Sequence, residues 1–367
     1  MNRWILVLCC VVLFGNYSRA GDSLLYCVSE GATKDSQVLS KTDIFAVNPE
    51  TGKQRLVFSD ARSEFLLLPG SDAQIDVVAA GGRIFSRGMD RKLYAKDPAY
   101  SPAALYELSA NGSGKARKLF DIPIEAGMGS NIRMLFVSPT GAKIGFVRTS
   151  NGKQYLFLYE TSTGKLLRKI DLTEDVADMS VAAIGWMPDG ERLFSTLNRT
   201  DEDDEWTNPE SLMGSYVIKE DGTGRQRIAP EAEMHPSLPG LNRDVKACAV
   251  LLGVLPDGRY LVRDFQMGPP SAHPGAYVYI LDPATKAQRT LTIGVPGELY
   301  PFRLSRSASE LAMVATQRKF EPGNASTDAK TLWVFALESG KQRKLLSFTT
   351  KQDGSKWIGL VGWLGSR

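Results

Sequence analysis

The sequence predicts an all-β fold assembled from a repeated four-stranded antiparallel unit. Three observations lead there. A hairpin of two short apolar strands around a Gly-Lys/Arg turn recurs along the chain. A second strand pair, staggered against the first, recurs between its copies. The two ends of the chain carry complementary halves of one such unit.

The first hairpin spans 43–59, and copies follow at 104–121, 155–171, 215–229, 276–292 and 331–347. Its turn position is filled by Gly52, Gly114, Gly164, Gly224, Lys286 and Gly340, at successive gaps of 62, 50, 60, 62 and 54 residues. A hairpin loop of three to five residues commonly holds one residue at positive φ, where a Cβ is crowded, and glycine is the natural occupant. Lys286 therefore demands either another turn type or a strained residue. The flanking strands, such as 155–159 and 277–280, are rich in β-branched and aromatic residues, which suits a pleated, packed surface.

The staggered pair is clearest at 134–147, 182–195 and 249–262. Its turn reads Pro188-Asp189-Gly190 or Pro256-Asp257-Gly258, where proline presets φ and glycine supplies the positive φ. Weaker copies lie at 75–86 and 301–314, the latter with Ser307-Ala308-Ser309 and no glycine. Each unit thus holds strands A to D. The stretch 358–367 repeats the A strand around Ile184, and 23–29 is an apolar B strand with no A strand before it. Joined, they complete one unit and leave no open edge. The reading is a six-bladed β-propeller, five blades continuous and one shared between the termini. A seventh blade would need strands hidden in 60–73, where Phe65–Gly70 is apolar.

Trp186-Met187-Pro188-Asp189-Gly190, Leu255-Pro256-Asp257-Gly258, Ser138-Pro139-Thr140-Gly141 and Leu281-Asp282 resemble the repeats of TolB-type propellers, relatives of the tryptophan–aspartate repeat proteins. The resemblance covers nearly the whole chain after residue 20 and implies the fold. It implies little about function, because such blades occur in translocation proteins, peptidase regulatory domains and some sugar lyases. No α/β domain precedes the blades, so the partner-binding role of TolB itself does not carry over.

The chain opens with Arg3, an apolar run from Trp4 to Gly15, and small residues Ser18 and Ala20. This is the pattern of a cleaved secretory signal, with the cut after Ala20 and residues 21–367 forming a single domain in the periplasm or the secreted space. Of 44 Lys and Arg, Arg3 and Arg19 leave with the leader, so 42 face 41 acidic residues and the net charge is +1. With no basic stretch, nucleic acid is excluded as a partner, and no later segment is apolar enough for stable membrane insertion. Cys9 and Cys10 leave with the leader. Cys27 and Cys248 fall on strands of different blades, so both thiols are expected to be free and buried rather than bridged.

In this model A–B and C–D turns lie on one face and are short. The opposite face carries the long connections 30–41, 87–103, 198–213, 265–275 and 317–330, and 59–73, 121–131 and 229–243. Length gathered on one face points to binding there. The candidate binding residues are Trp206 and Asp204 of an acidic loop, the aromatics Tyr94, Tyr100 and Phe320, and His235 and His273. Arg133 and Arg303 join them as residues read to sit six or more positions before their A–B turns, near the channel mouth, where they could meet a carboxylate or phosphate. The loop 201–205 lacks the ligand alternation of a calcium loop, so no metal and no cofactor are expected. With two histidines and no H-E-x-x-H, Cys-x-x-Cys, G-x-S-x-G or P-loop, no catalytic residue is assigned. The expectation is a non-catalytic, monomeric propeller that binds a protein or peptide. The alternative is a carbohydrate-active or other hydrolytic or lyase enzyme relying on carboxylates.

Overall fold

The computed structural model describes residues 22–31, 39–67, 77–96, 103–123, 132–150, 153–173, 179–199, 214–230, 247–266, 277–292, 295, 298–305, 307–319, 327–351 and 356–364. In chain order the first strands are β1 (Ser23–Gly31), β2 (Leu39–Val47), β3 (Gln54–Ser59), β4 (Phe65–Leu67), β5 (Val77–Ala80), β6 (Arg83–Asp90), β7 (Ala103–Leu108) and β8 (Ala116–Asp121). Then follow β9 (Arg133–Val137), β10 (Lys143–Ser150), β11 (Lys153–Glu160), β12 (Leu166–Asp171), β13 (Met179–Trp186), β14 (Arg192–Arg199), β15 (Gly214–Lys219) and β16 (Gln226–Pro230). The last are β17 (Ala247–Val254), β18 (Tyr260–Gln266), β19 (Tyr277–Leu281), β20 (Gln288–Thr290), β21 (Glu298–Leu304), β22 (Glu310–Lys319), β23 (Thr327–Ala336), β24 (Gln342–Lys351) and β25 (Lys356–Leu364). A 3-10 turn, Asp60–Arg62, follows β3, and a six-residue helix α1, Arg91–Lys96, follows β6.

Strands β9 to β24 form four antiparallel four-stranded sheets, each a meander of consecutive strands. The remaining strands form a nine-stranded sheet of two such runs, β3-β2-β1-β25 and β5-β6-β7-β8, with β4 added beside β6. The runs meet through one parallel pair, Gly362 with Ala79. The last strand therefore completes the sheet of the first: Trp363 pairs with Leu24 and Gly362 with Leu25. The architecture is that of a propeller with four-stranded blades.

Alternation explains why these sheets stack. Successive side chains of a strand point to opposite faces, and each face here has its own neighbour. Leu25 and Cys27 pack with Val77, Ile84 and Tyr106 of the β5–β8 run, while Leu24 and Tyr26 pack with Ala312, Val314 and Val334 of the β21–β24 sheet. Phe85 joins Ile144 and Phe157 of the β9–β12 sheet. Val147 and Leu158 turn the other way onto Leu193 and Tyr216, and Phe194 onto Leu251 and Tyr279. Leu261 and Val278 pack on Leu311 and Phe335. Each cluster lies between two four-strand runs, so among the described residues no run is apolar on one side only.

Polar staples tie the same neighbours. Arg83 grips Glu107 of its own sheet through two bonds of 2.7 and 2.9 Å and donates to Gly141 O and Thr161 Oγ1 of the next sheet, both at 2.8 Å. The two arginines Arg83 and Arg117 hold the Glu107 carboxyl down at about 2, against the opposing effect of burial. Gly81 is needed at this junction, since a Cβ there would stand 2.3 Å from Thr140 O.

The turns repeat in detail. Gly52, Gly164 and Gly340 each donate to the carbonyl four residues back at 2.8–2.9 Å, at φ near +70°. Lys286 makes the same bond to Asp282 O at 2.9 Å with φ +60°, so it occupies the glycine conformation rather than a different turn. Ala308, at φ +52°, likewise donates to Ser305 O as Gly141, Gly190 and Gly258 donate to Ser138, Met187 and Leu255.

The innermost strands β9, β13, β17, β21 and β25 each carry a register shift against their partner, the signature of a β-bulge, which sharpens twist. In the β5–β8 run the inner strand is broken instead. β5 pairs with Arg83–Ser86, and β4 pairs with Gly88–Asp90 on the same side of β6. The apolar stretch at 65–70 thus supplies half of an inner strand through Phe65–Leu67.

Two outcomes test this account. Trp363 is 5% exposed and donates its indole N–H to Arg303 O at 3.1 Å. Trp363→Ala should lower the unfolding free energy by about 3–5 kcal/mol in urea titrations. Lys286→Gly should raise it by roughly 0.5–1 kcal/mol, the relief of the left-handed conformation exceeding the added freedom of the unfolded chain.

Candidate functional site

In a four-stranded meander the A–B and C–D turns share one edge, and the other connections share the opposite edge. The turn edge is self-contained. Asn48 Oδ1 accepts from Glu50 and Thr51 N–H, Asp282 Oδ1 from Ala284 and Thr285 N–H, and Asp189 binds Arg192 at 2.7 Å. The opposite edge emits the connections 32–38, 91–102, 200–213, 267–276 and 320–326 within four-strand runs and 60–76, 122–132 and 231–246 between runs. The short connections there are β10–β11, with residues 151 and 152 alone, and β24–β25, with 352–355.

The sequence-derived candidates fall unevenly on this frame. Trp206, Asp204, His235, His273, Tyr100 and Phe320 lie outside the described residues. Tyr94 is on α1, at the long-connection edge, and Arg133 opens β9 at that same edge; for both, the backbone alone is described. Arg303 is a correction. It stands two residues before the turn that begins at Ser305, at the opposite end of its strand from the expected mouth. Its Nε donates to Val361 O at 3.0 Å and its Nη1 to Phe302 O at 2.8 Å, so it clamps β21 onto the closing strand β25. The expectation failed because the Ser305–Glu310 turn was read without its register. Cys27 is free and buried on β1, while Cys248 lies on β17 in another sheet, its side chain outside the description. Among the described residues no group of three His, Cys, Asp or Glu could hold a metal ion, and no helix is long and apolar enough to cross a membrane.

The structure adds a buried polar corner that sequence reasoning missed. It lies where β1 ends, β2 begins and β3 ends, on the long-connection edge. Ser29, Thr42, Ser59 and Asp60 are all buried there. The Thr42 hydroxyl donates to Ser29 Oγ at 3.1 Å, and Ser59 donates to Asp43 Oδ1 at 2.6 Å. Thr42 N–H donates to Asp60 Oδ1 at 2.7 Å, whereas Asp60 Oδ2, also buried, has no hydrogen-bond partner among the described residues. Register makes this unusual. Ile122, Leu172 and Leu291 hold the corresponding position, each donating its N–H to the C-strand carbonyl opposite it (Ala103, Gln154 and Val278) and filling an inter-sheet cluster. Asp60 puts a carboxyl where those repeats put an aliphatic group. Burial, with a smaller push from the Asp43 charge, raises it to about 6, opposed by Thr42 N–H, the Arg91 guanidinium and Leu67 N–H. The one available sequence signal was an aspartate following a D strand where an apolar residue was due.

The pH dependence follows from the sign. The folded state holds the Asp60 proton more tightly than the unfolded chain, so its contribution is fully present below about pH 4 and lost as pH rises towards 6. Relative to Asp60→Asn, wild-type stability should fall by roughly 3 kcal/mol between pH 4 and pH 7, read from paired urea titrations.

No protein-family model matches the chain, and no curated protein matches it in sequence. Solved structures similar to it include an oligogalacturonate lyase in complex with manganese, 15% identical over 83% of this chain and 84% of that one, with a TM-score of 0.42. A protein from Lactobacillus plantarum is 11% identical over 94% and 100%, with a TM-score of 0.47. A puromycin-hydrolyzing peptidase from Mycobacterium tuberculosis is 11% identical over 83% of this chain and 42% of its own, with a TM-score of 0.44. Likeness at this level assigns the chain no activity.

Proposed function

We propose that the chain is a closed six-bladed propeller of TolB-like repeats that binds a protein or peptide partner through its long-connection edge and acts without catalysis. On this reading it is exported to the periplasm or the secreted space after losing residues 1–20, and works as a monomer. Closure in six is supported by the apolar clusters, which link the four-strand runs pairwise in chain order and return from the β21–β24 sheet to β1 and β25. The observation that carries the binding reading is the asymmetry of the edges. One is closed by tight turns whose polar groups bond within the turn, and the other receives nearly all the chain length that the sheets do not use. Extra length on one face of a repeat fold is where variable recognition resides.

A variant in which residues 201–212 are replaced by a short Gly-Ser linker between β14 and β15 tests this. A partner purified on the intact chain should bind it saturably and bind the variant at least tenfold more weakly, with both proteins melting alike. Thr163→Ala, on the turn edge, should bind as the parent does. Equal affinity of the loop variant, or turnover of a glycan substrate by the purified chain that is lost on changing His235 or His273, would overturn the reading in favour of the enzyme alternative.

A further inference from the structure

The outer strands of the sheets differ in how their edges are guarded. An outer strand presents a row of backbone N–H and C=O groups with no ladder partner, and proteins blunt such an edge by keeping it short, charged or closed by proline. Here β3, β8 and β12 hold six residues each, β16 holds five and ends in Pro230, and β20 holds three. Strand β24 holds ten. It pairs with β23 on one side, and among the described residues no strand lies on the other. Its register shifts once, at Leu332–Trp333, and from Leu346 to Lys351 it runs unbroken against Leu332 to Thr327. That stretch alone is as long as the whole of β3, β8 or β12. The Ala336 N–H donates to Lys341 O at 2.9 Å, which sets the phase of the ladder near the turn. Arg343 then faces Val334 in the next bonded pair, and Lys344 turns its N–H and C=O outward.

The chemistry along this edge is one-sided. From 341 to 351 the chain carries Lys341, Arg343, Lys344 and Lys351 and no acidic residue. Arg343 is committed to Glu310 of β22 at 2.8 Å. Lys341 and Lys344 are exposed, and neither has an ion-pair partner among the described residues. Beside them Leu345, Leu346 and Phe348 are half-buried against the cluster shared with β1 and β25. The Phe348 ring stands 5.7 Å from that of Tyr26, which stacks on half-buried Phe45 at 5.4 Å.

We propose that the open edge of β24 docks an extended acidic segment of another protein, which adds to the β21–β24 sheet as a fifth strand. Main-chain bonds supply the affinity of such an addition, and alternate side chains supply its selectivity. Acidic side chains of the added strand meet the two lysines, and apolar ones cover the partly open aromatic surface. Charge selects this occupant over a second copy of the chain. Two β24 edges paired together would bring basic residues against basic residues with no acid among them, and like charges across a strand pair are destabilising. The lysines thus guard β24 against its own copies while drawing an acidic strand to it. The site lies on the rim of one sheet, apart from the long-connection edge, and stands whatever that edge binds.

A fluorescein-labelled octapeptide of alternating Glu and Val, titrated with the full chain and read by fluorescence anisotropy, tests the site. It should bind saturably, and at least tenfold more weakly when salt rises from about 50 to about 500 mM. The Lys-Val counterpart should not bind. Nor should the acidic peptide methylated at every backbone nitrogen, which keeps the charge and loses the ladder. Lys341→Glu with Lys344→Glu should weaken binding of the acidic peptide by roughly tenfold or more. Lys341→Gln with Lys344→Gln, a milder change, serves if the reversed pair does not fold. Lys118→Glu, on β8, should bind as the parent does. Hydrogen exchange with the acidic peptide bound should show new protection in 342–351 and none in 116–121. Absence of saturable binding, equal binding of the methylated peptide, unchanged binding by a folded lysine variant, or a dimer of the chain that protects 342–351 without peptide would overturn the proposal.

Discussion

The pairing of β25 with β1 is the contact on which the rest of the molecule depends. Every sheet here is apolar on both faces, because strand alternation sends half of each strand's side chains to either neighbour. Such a sheet is stable only when flanked twice. Without β25 the face bearing Leu24 and Tyr26 loses Ile358, Leu360 and Trp363, and β1 becomes an open edge beside the β5–β8 run. The inter-sheet staples reinforce this dependence. Arg303 donates to Val361 O and accepts from the Trp363 indole across the junction where the last sheet meets the closing strand, as Arg83 donates from the β5–β8 run to the β9–β12 sheet.

The fold was legible because its signals are local and repeated. Glycine or an equivalent at the fourth step of each C–D turn, and the Pro-Asp-Gly A–B turns, fix strand ends without any tertiary information. Joining Trp363 to Leu24 needed one more step, the recognition that the ends supply different strands of one unit. Lys286 and Ala308 were legible as exceptions but not as solutions. Composition announces that glycine is missing; it does not reveal that the surrounding bonds hold the backbone at positive φ regardless. The break between β4 and β5 was illegible for a related reason, since a three-residue strand carries too little alternation to be told from a loop.

The site was less legible. Arg303 and Arg133 were grouped by their place in the repeat, yet they sit at opposite ends of equivalent strands, because the strand boundaries at the Ser305 turn could not be counted from sequence. Asp60 was invisible as a special residue. Aspartate at the end of a D strand is also found at Asp121 and Asp171, one register position earlier, where Asp121 is exposed and Asp171 half-buried. A single step along a strand exchanges solvent for core, and only the register distinguishes the two.

The terminal pairing also sets an order of events. The residues facing Leu24 and Tyr26 come from β25, which follows every other described strand in the chain, so the first sheet cannot be completed until all of those strands have been made. Until then β1 offers a free strand edge and an uncovered apolar face, the state in which nascent β-proteins associate wrongly. A chain built this way gains from being kept extended until it is whole, and its folding rate is bound to the slow meeting of distant segments rather than to the fast closure of its hairpins.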